Sequence, residues 1–375
     1  MNLPKKWVVL LLTIGLLNSE LLALGKGPVN TMYTDVNYRR VRNKRLAEYQ
    51  VTYHVARDTV FFETYNLHPD GLVEKGSFPR VNGFDVRNCN VELFWPDGKI
   101  KAKGRKSSSF PDGPWDYYDQ NGILYSRVYY SQGLMHGLSY RYFANGDIHE
   151  IPYENGKKIG NSLRRDAKNR VLEKTSWHGE FKEGWNLEYD TLGRIISKAL
   201  FHGDKKMKDS VFYEHGTLCE CEHFDSLGKI DGRCMMFSPT GKITRLDEFS
   251  HGEVLQNMCV HPITQSDWND GDCYPRKTEP HYPGGENKYE RLVRLNQDYP
   301  DLARDWKVQG IVEFVLYIDV NGKITRTEET NIIPVGYDIE KEVLRLFRLI
   351  PHFEPLMSNG VPRASKKEMM FAFIL

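Results

Sequence analysis

The chain carries no surplus charge of either sign: 51 Lys+Arg stand against 50 Asp+Glu, a formal net charge of +1 over 375 residues. So balanced a chain has no overall field with which to gather phosphates or an anionic lipid surface, and this argues against nucleic acid as its partner. Recognised catalytic spacings are missing too. There is no Gly-x-Ser-x-Gly elbow, phosphate loop, dinucleotide fingerprint or His-Glu-x-x-His pair. The twelve histidines are scattered, with His178, His202, His215 and His251 beside glycine turns. The reading is of a non-enzymatic protein that needs no cofactor and no metal.

Cysteine is sparse. Six residues (Cys89, Cys219, Cys221, Cys234, Cys259 and Cys273) permit disulfides in an exported chain, but a chain this long does not depend on them for a core. Cys259 and Cys273 are the expected pair, closing a loop between domains. Cys219, Cys221 and His223 alternate along a strand and could hold a soft metal with His215 or Cys234; small buried side chains or a local disulfide are the plainer reading. Asp267, Asn269, Asp270 and Asp272 have the composition of a calcium loop, but Gly271 is misplaced and no Glu closes it, which leaves a solvated linker.

Long apolar runs are confined to the N-terminus. Lys5 and Lys6 precede an apolar stretch over residues 7–17, and Ala23-Leu24-Gly25 offers small residues for cleavage, the pattern of an export signal. Asn18, Ser19 and Glu20 interrupt the run short of the roughly 20 residues a membrane span needs. Cleavage into the periplasm or cell envelope is the expectation, and an uncleaved inner-membrane anchor is the alternative. No Cys follows the run to accept a lipid, so membrane contact is peripheral or through that uncleaved segment.

What the sequence does hold is a repeat. Turn glycines Gly98, Gly122, Gly146, Gly193, Gly216 and Gly241 recur every ~24 residues, or twice that where Asn169 takes the glycine place. Two further columns keep the register: Gly113, Gly137, Gly160, Gly184 and Gly232, with Lys208 in one glycine place, and Gly133, Gly156, Gly179, Gly203, Gly228 and Gly252. Between them lie aromatic and β-branched segments, and the Asn-Gly and Asp-Gly pairs read as two-residue hairpin turns. One hairpin cannot bury its apolar face, so the units must stack into a long sheet. Tyr118, Tyr142, Tyr189, Tyr213 and Phe237 are expected to form an aromatic ladder along it. Trp115, Trp177 and Trp185 read as cross-strand packing in preference to a carbohydrate or protein surface. The motif in residues 110–118, Phe-Pro-Asp-Gly-Pro-Trp-Asp-Tyr-Tyr, resembles the MORN-variant repeat family over residues 51–256. That resemblance implies a binding scaffold; some family members are antitoxins.

Beyond the Pro-rich stretch ending at Pro283 the repeat register does not return. A helix is expected over residues 287–295, with Tyr289, Leu292 and Val293 on one face. Val312, Phe314, Leu316, Ile318 and Val320 alternate into a turn at Asn321-Gly322. A second helix should open at Asp338 as N-cap and bury Ile339, Val343, Leu346, Phe347 and Ile350. Residues 367–375 alternate as a final strand. Pro283-Gly284-Gly285, Tyr299-Pro300, Gln309-Gly310-Ile311-Val312, Asp319-Val320-Asn321-Gly322-Lys323-Ile324 and Pro351-His352-Phe353-Glu354-Pro355, then Asn359-Gly360 and an apolar last strand, resemble the TonB C-terminal domain family in order.

The resemblance implies an energy-transducing partner of outer-membrane transporters, whose plug segment pairs with the last strand by β-augmentation. The long Pro-rich spacer of a full transducer is replaced here by the repeats. The expected fold class is therefore an all-β hairpin repeat array plus an α+β domain of three antiparallel strands and two helices. Its parts are a signal at 1–25, a lead segment at 26–50, repeats at 51–256, a linker at 257–282 and the C-terminal domain at 283–375. The expected partner-binding strand is carried by Lys367, Met369, Met370, Phe371, Ala372, Phe373 and Ile374, and Asn321, Gly322, Gly122, Gly146 and Gly193 are the turn residues. Dimerisation through the same strand is compatible with the pattern. A purely repeat-mediated, antitoxin-like scaffold is the competing reading. Fractionation of native cells with intact-mass analysis should return a chain beginning near Lys26; a full-length chain in the inner membrane would restore the anchored reading.

Overall fold

The computed structural model describes residues 29–34, 41, 47–56, 58–68, 70–79, 89–108, 110–212, 216–238, 240–259, 277–350, 352–358 and 361–375. The signal segment, Tyr213, His215, the 267–272 insert, Cys273 and the side chain of Cys259 lie outside them.

From Asn30–Thr34 to Glu253–Cys259 the described strands join one 21-stranded sheet. Pairing is antiparallel between successive hairpin strands: Phe110–Tyr118 pairs with Ile100–Ser107 on one side and with Leu124–Ser131 on the other. The turns depart from the two-residue form. At Asp119 the chain makes a four-residue turn, with the Gly122 amide donating to the Asp119 carbonyl at 3.0 Å, and the carboxylate accepts from the Asn121 and Ile123 amides at 2.9 Å each. Asp190 and Asp319 repeat this with the amides of Leu192 and Arg194, and of Asn321 and Lys323. Only the glycine is left-handed (Gly122 φ 84°, Gly146 φ 85°, Gly193 φ 80°, Gly322 φ 79°), and Asn169 takes that place at φ 65°. Where an aspartate opens the turn its side chain satisfies two amides otherwise left to solvent, and the turns from Trp95 to Gly98 and from Phe143 to Gly146 keep the same form without one.

The array's apolar core lies in its first half, around Val60, Phe62, Phe78, Trp115, Val128 and Tyr130. Trp115 is buried and stands 6.3 Å from Tyr117 and 6.4 Å from Tyr130. The expected ladder is thus shifted by one residue: Tyr117 is buried, whereas Tyr118, Tyr142, Tyr189 and Phe237 are half-buried. Trp177 donates to Ser162 Oγ at 2.8 Å, and Trp185 is exposed. In the second half polar side chains take the buried positions, among them Ser162, Thr175, Asp209, Glu222 and Asp247. Cys221 faces Met235 across the ladder, so Cys234, one residue along, projects to the opposite face and the two cannot share one metal.

The C-terminal sheet runs in the order Ile324–Glu329, Gly310–Ile318, Ser365–Phe373, all antiparallel. Val312, Phe314, Leu316 and Ile318 are buried against Ile339, Val343, Leu346 and Phe347 of the helix Ile339–Leu349. Val320 is exposed in the turn. There are three described helices, not two: Glu286–Asn296, the short Asp301–Asp305 and Ile339–Leu349. A small sheet of Lys277–Thr278, Leu356–Ser358 and Val361–Arg363 is a further addition. Asp338 occupies the N-cap position without capping. Tyr337 and Asp338 enter the helix with φ 57° and 66°, which turns the carboxylate away from the first amides and onto Lys341 at 2.5 Å.

Two glycines show where backbone closeness matters. A Cβ on Gly322 would overlap the Phe353 carbonyl, while one on Gly122 would meet nothing. Gly322→Ala should therefore cost about 2 kcal/mol or more and Gly122→Ala only about 1 kcal/mol, both positions being left-handed. Urea unfolding midpoints check this; equal losses would contradict it.

Candidate functional site: an open sheet edge

The last strand, Ser365–Phe373, pairs with Gly310–Ile318 and with no other described strand. Which of its backbone groups are spare follows from its neighbour. Glu313 uses its backbone on the far side, accepting from the Thr330 amide and donating to Asn331 Oδ1, both at 2.9 Å; the Ile311 carbonyl accepts from Asn331 Nδ2 at 3.0 Å. Glu313 lies opposite Met370, and Ile311 opposite Ala372. In an antiparallel ladder such pairs exchange no hydrogen bonds, so the amides and carbonyls of Met370 and Ala372, and by the period of two those of Glu368, point outward to the open edge. Gln297 Nε2 reaches the Ala372 carbonyl from that side at 3.3 Å, as an incoming strand would.

The helix Glu286–Asn296 walls this edge. A groove between them is lined by Tyr289, Val293 and Arg294 of the helix, Gln297 beyond it, and Met369 and Phe371 of the strand. The expected binding residues divide accordingly. Met369, Phe371 and Phe373 are buried and hold the strand on the core. Lys367 donates to the Pro280 carbonyl at 3.3 Å. Met370, 74% exposed, Ala372 and Ile374 stand outward, with the exposed Ile311 beside them. Glu368 and Gln297 carry no local sequence signal and emerge only from the pairing.

The other face of this sheet rests on the repeats. Arg164 meets Glu328 Oε2 at 2.8 Å and Tyr317 Oη at 3.2 Å, Lys366 meets Glu188 at 2.9 Å, and Lys182 lies 3.8 Å from Glu368. Trp95, from the array, is 1% exposed within the C-terminal core, its ring 5.3 Å from that of Tyr337 and Gly336 leaving room for it. Lys101 stands 4.5 Å from the Trp95 ring and 4.7 Å from the Tyr337 ring, and burial lowers its pKa to about 8 against the opposing charge of Glu340. Tyr125 Oη lies 2.8 Å from Glu329 Oε1 and 2.7 Å from the Asn331 carbonyl, its one proton shared between the two acceptors.

Residues 296–375 match the family described as Gram-negative bacterial TonB protein C-terminal. The edge strand thus lies within the residues that are similar to this family, and almost all of the helix that walls the groove lies before them. No curated protein matches the chain. Among solved structures, a chain of the Photorhabdus luminescens Tc holotoxin pore is similar at 10% identity, over 64% of this chain and 19% of that chain, with a TM-score of 0.11. So low a score carries no argument about fold. Among the described residues no helix is long and apolar enough to cross a membrane, and no group of three His, Cys, Asp or Glu is placed to hold a metal.

Burial, with the nearby charge of Glu340, raises the Glu329 carboxyl from 4.5 to about 7, against the opposing hydrogen bond from Tyr125 and the charge of Arg141. A carboxyl raised on folding stabilises the folded form below its unfolded pKa, and that contribution is lost as pH rises through about 7. His149, lowered to about 4 by burial and the charge of Arg164, acts in the opposite sense but only below its ordinary 6.5. From about pH 6 to about pH 8, then, the native protein should lose about 1 to 2 kcal/mol relative to Glu329→Gln. Thermal unfolding of both across that range checks this; parallel curves would contradict it.

Proposed function

We propose that this is a non-enzymatic, exported envelope protein that captures an extended segment of a partner by strand addition to Ser365–Phe373. The observation that carries this reading is the outward set of backbone groups at Glu368, Met370 and Ala372, beside a groove in which Tyr289 and Val293 alternate with charged side chains such as Glu290 and Arg294. An open edge offers backbone hydrogen bonds for affinity, and the alternating side chains on either side of it set register. The TonB-type match over residues 296–375 favours an envelope partner, and the plug segment of an outer-membrane transporter is the reading's first choice. In this reading residues 51–256 are MORN-variant hairpin repeats that orient the C-terminal domain, residues 1–25 are an export signal, and residues 257–282 are a linker. The role is that of a periplasm-facing adaptor in TonB-dependent transport.

Ala372→Pro tests it. Proline removes the outward amide and leaves the exposed side-chain position otherwise undemanding, so the fold should persist while strand addition fails. Titration of the full chain with a synthetic plug peptide of an outer-membrane transporter from the same cell should show at least a tenfold weaker Kd for the variant, on the principle that a lost backbone pairing costs about 1 kcal/mol and the proline ring adds a clash at the edge. Unchanged affinity would refute capture at this edge.

A further inference from the structure

The two sheets are in step. Moving along the array, Arg141 and Arg164 meet Glu329 and Glu328 of the first C-terminal strand, and Lys182 meets Glu368 of the last. The first and the last C-terminal strands thus each present a carboxylate to an array cation. The array does not stop there. Past Gly184–Tyr189, whose Glu188 meets Lys366 of that same last strand, Ile195–His202 and Lys205–Phe212 follow along the array. Lys182 lies 5.5 Å from the Phe201 ring, so the chain of contact from Glu368 through Lys182 already reaches Ile195–His202. Phe201 pairs with Lys206 across the ladder and the two share a face.

We propose that these two repeat strands are the second wall of the strand-addition site. A captured segment lies between the helix Glu286–Asn296 and the array, and it carries an acidic side chain at a position facing Lys182 and Lys206. A fourth C-terminal strand would occupy the next place in the order that the first three strands establish. Its side chains alternate between the two walls, one set toward Tyr289 and Val293, the other toward Phe201 and its flanking lysines. Lys182 is available for this because its Glu368 partner is 80% exposed and 3.8 Å away, a pair of little strength on its own. Lys206 is held at 2.8 Å by Asp209. This inference rests on the strand-addition reading and adds to it what the partner must look like.

The test uses the full chain and twelve-residue peptides selected on it from a phage-displayed library, each resynthesised with photoreactive benzoylphenylalanine at successive positions. Alternate positions should crosslink to residues 195–212, the intervening ones to residues 286–297, and the array-facing positions should be enriched in Asp and Glu. Lys182→Gln and Lys206→Gln should each weaken binding about tenfold while Ala372→Pro abolishes it. Peptides that lose binding with Ala372→Pro but crosslink at no position to residues 195–212 would overturn the second wall and leave capture at the edge intact. Peptides indifferent to Ala372→Pro would overturn the edge reading itself.

Discussion

Everything else in the arrangement depends on Trp95. It belongs to the repeat array by sequence and to the C-terminal core by position, 1% exposed among Tyr337, Ile339 and their neighbours. Its indole donates to the carbonyls of Tyr118 and Asp119, at 3.2 and 3.1 Å, and so is satisfied from its own side of the seam. Burying so large a ring contributes about 2 to 3 kcal/mol. Ile332 and Ile333 make the reciprocal move and pack on the array's core. The two parts are locked by exchange of side chains, and the charge pairs from Arg141 to Lys182 then set the angle at which one sheet rests on the other.

That lock explains why an open edge is tolerable. An unpaired strand end is a hazard for aggregation, commonly blunted by charge, by cover or by shortness. Here Lys366 and Glu368 put charge on the strand and are engaged by Glu188 and Lys182, Gln297 touches one spare carbonyl, and the helix Glu286–Asn296 stands alongside. What stays open is a narrow stretch around Met370 and Ala372, with exposed Ile311 and Ile374 nearby. Protection on both sides and access in the middle is what a selective edge requires.

Much of the C-terminal domain was legible in residue order, because its signals are local. Val312 to Ile318 alternate with a period of two, the stripe from Ile339 to Ile350 has the helical period, and both face one core. The repeat register was legible for the same reason. The width of the turns is not legible, since the Asn-Gly signal is conspicuous while Asp119 and Asp319, and Asp190 at a Leu192-Gly193 turn, look like ordinary surface acids although they supply the second layer of hydrogen bonds. The seam was not legible at all. Arg164 and Glu328 are distant in sequence, and nothing in the local pattern around Trp95 or Gly336 marks them as partners. The same holds for the site: the alternation of residues 367–375 reveals a strand, but only the use of Glu313 and Ile311 by Thr330 and Asn331 tells which of its amides are spare.

The central claim is that one edge of the C-terminal sheet is unpaired in the native, unliganded protein. Residue-resolved amide hydrogen exchange on the full chain tests it most directly. The account requires alternation along the last strand: slow exchange at Met369 and Phe371, whose amides bond to Gly310–Ile318, and fast exchange at Glu368, Met370 and Ala372. Uniform protection along residues 366–373 would mean that the edge is already occupied, and would contradict it.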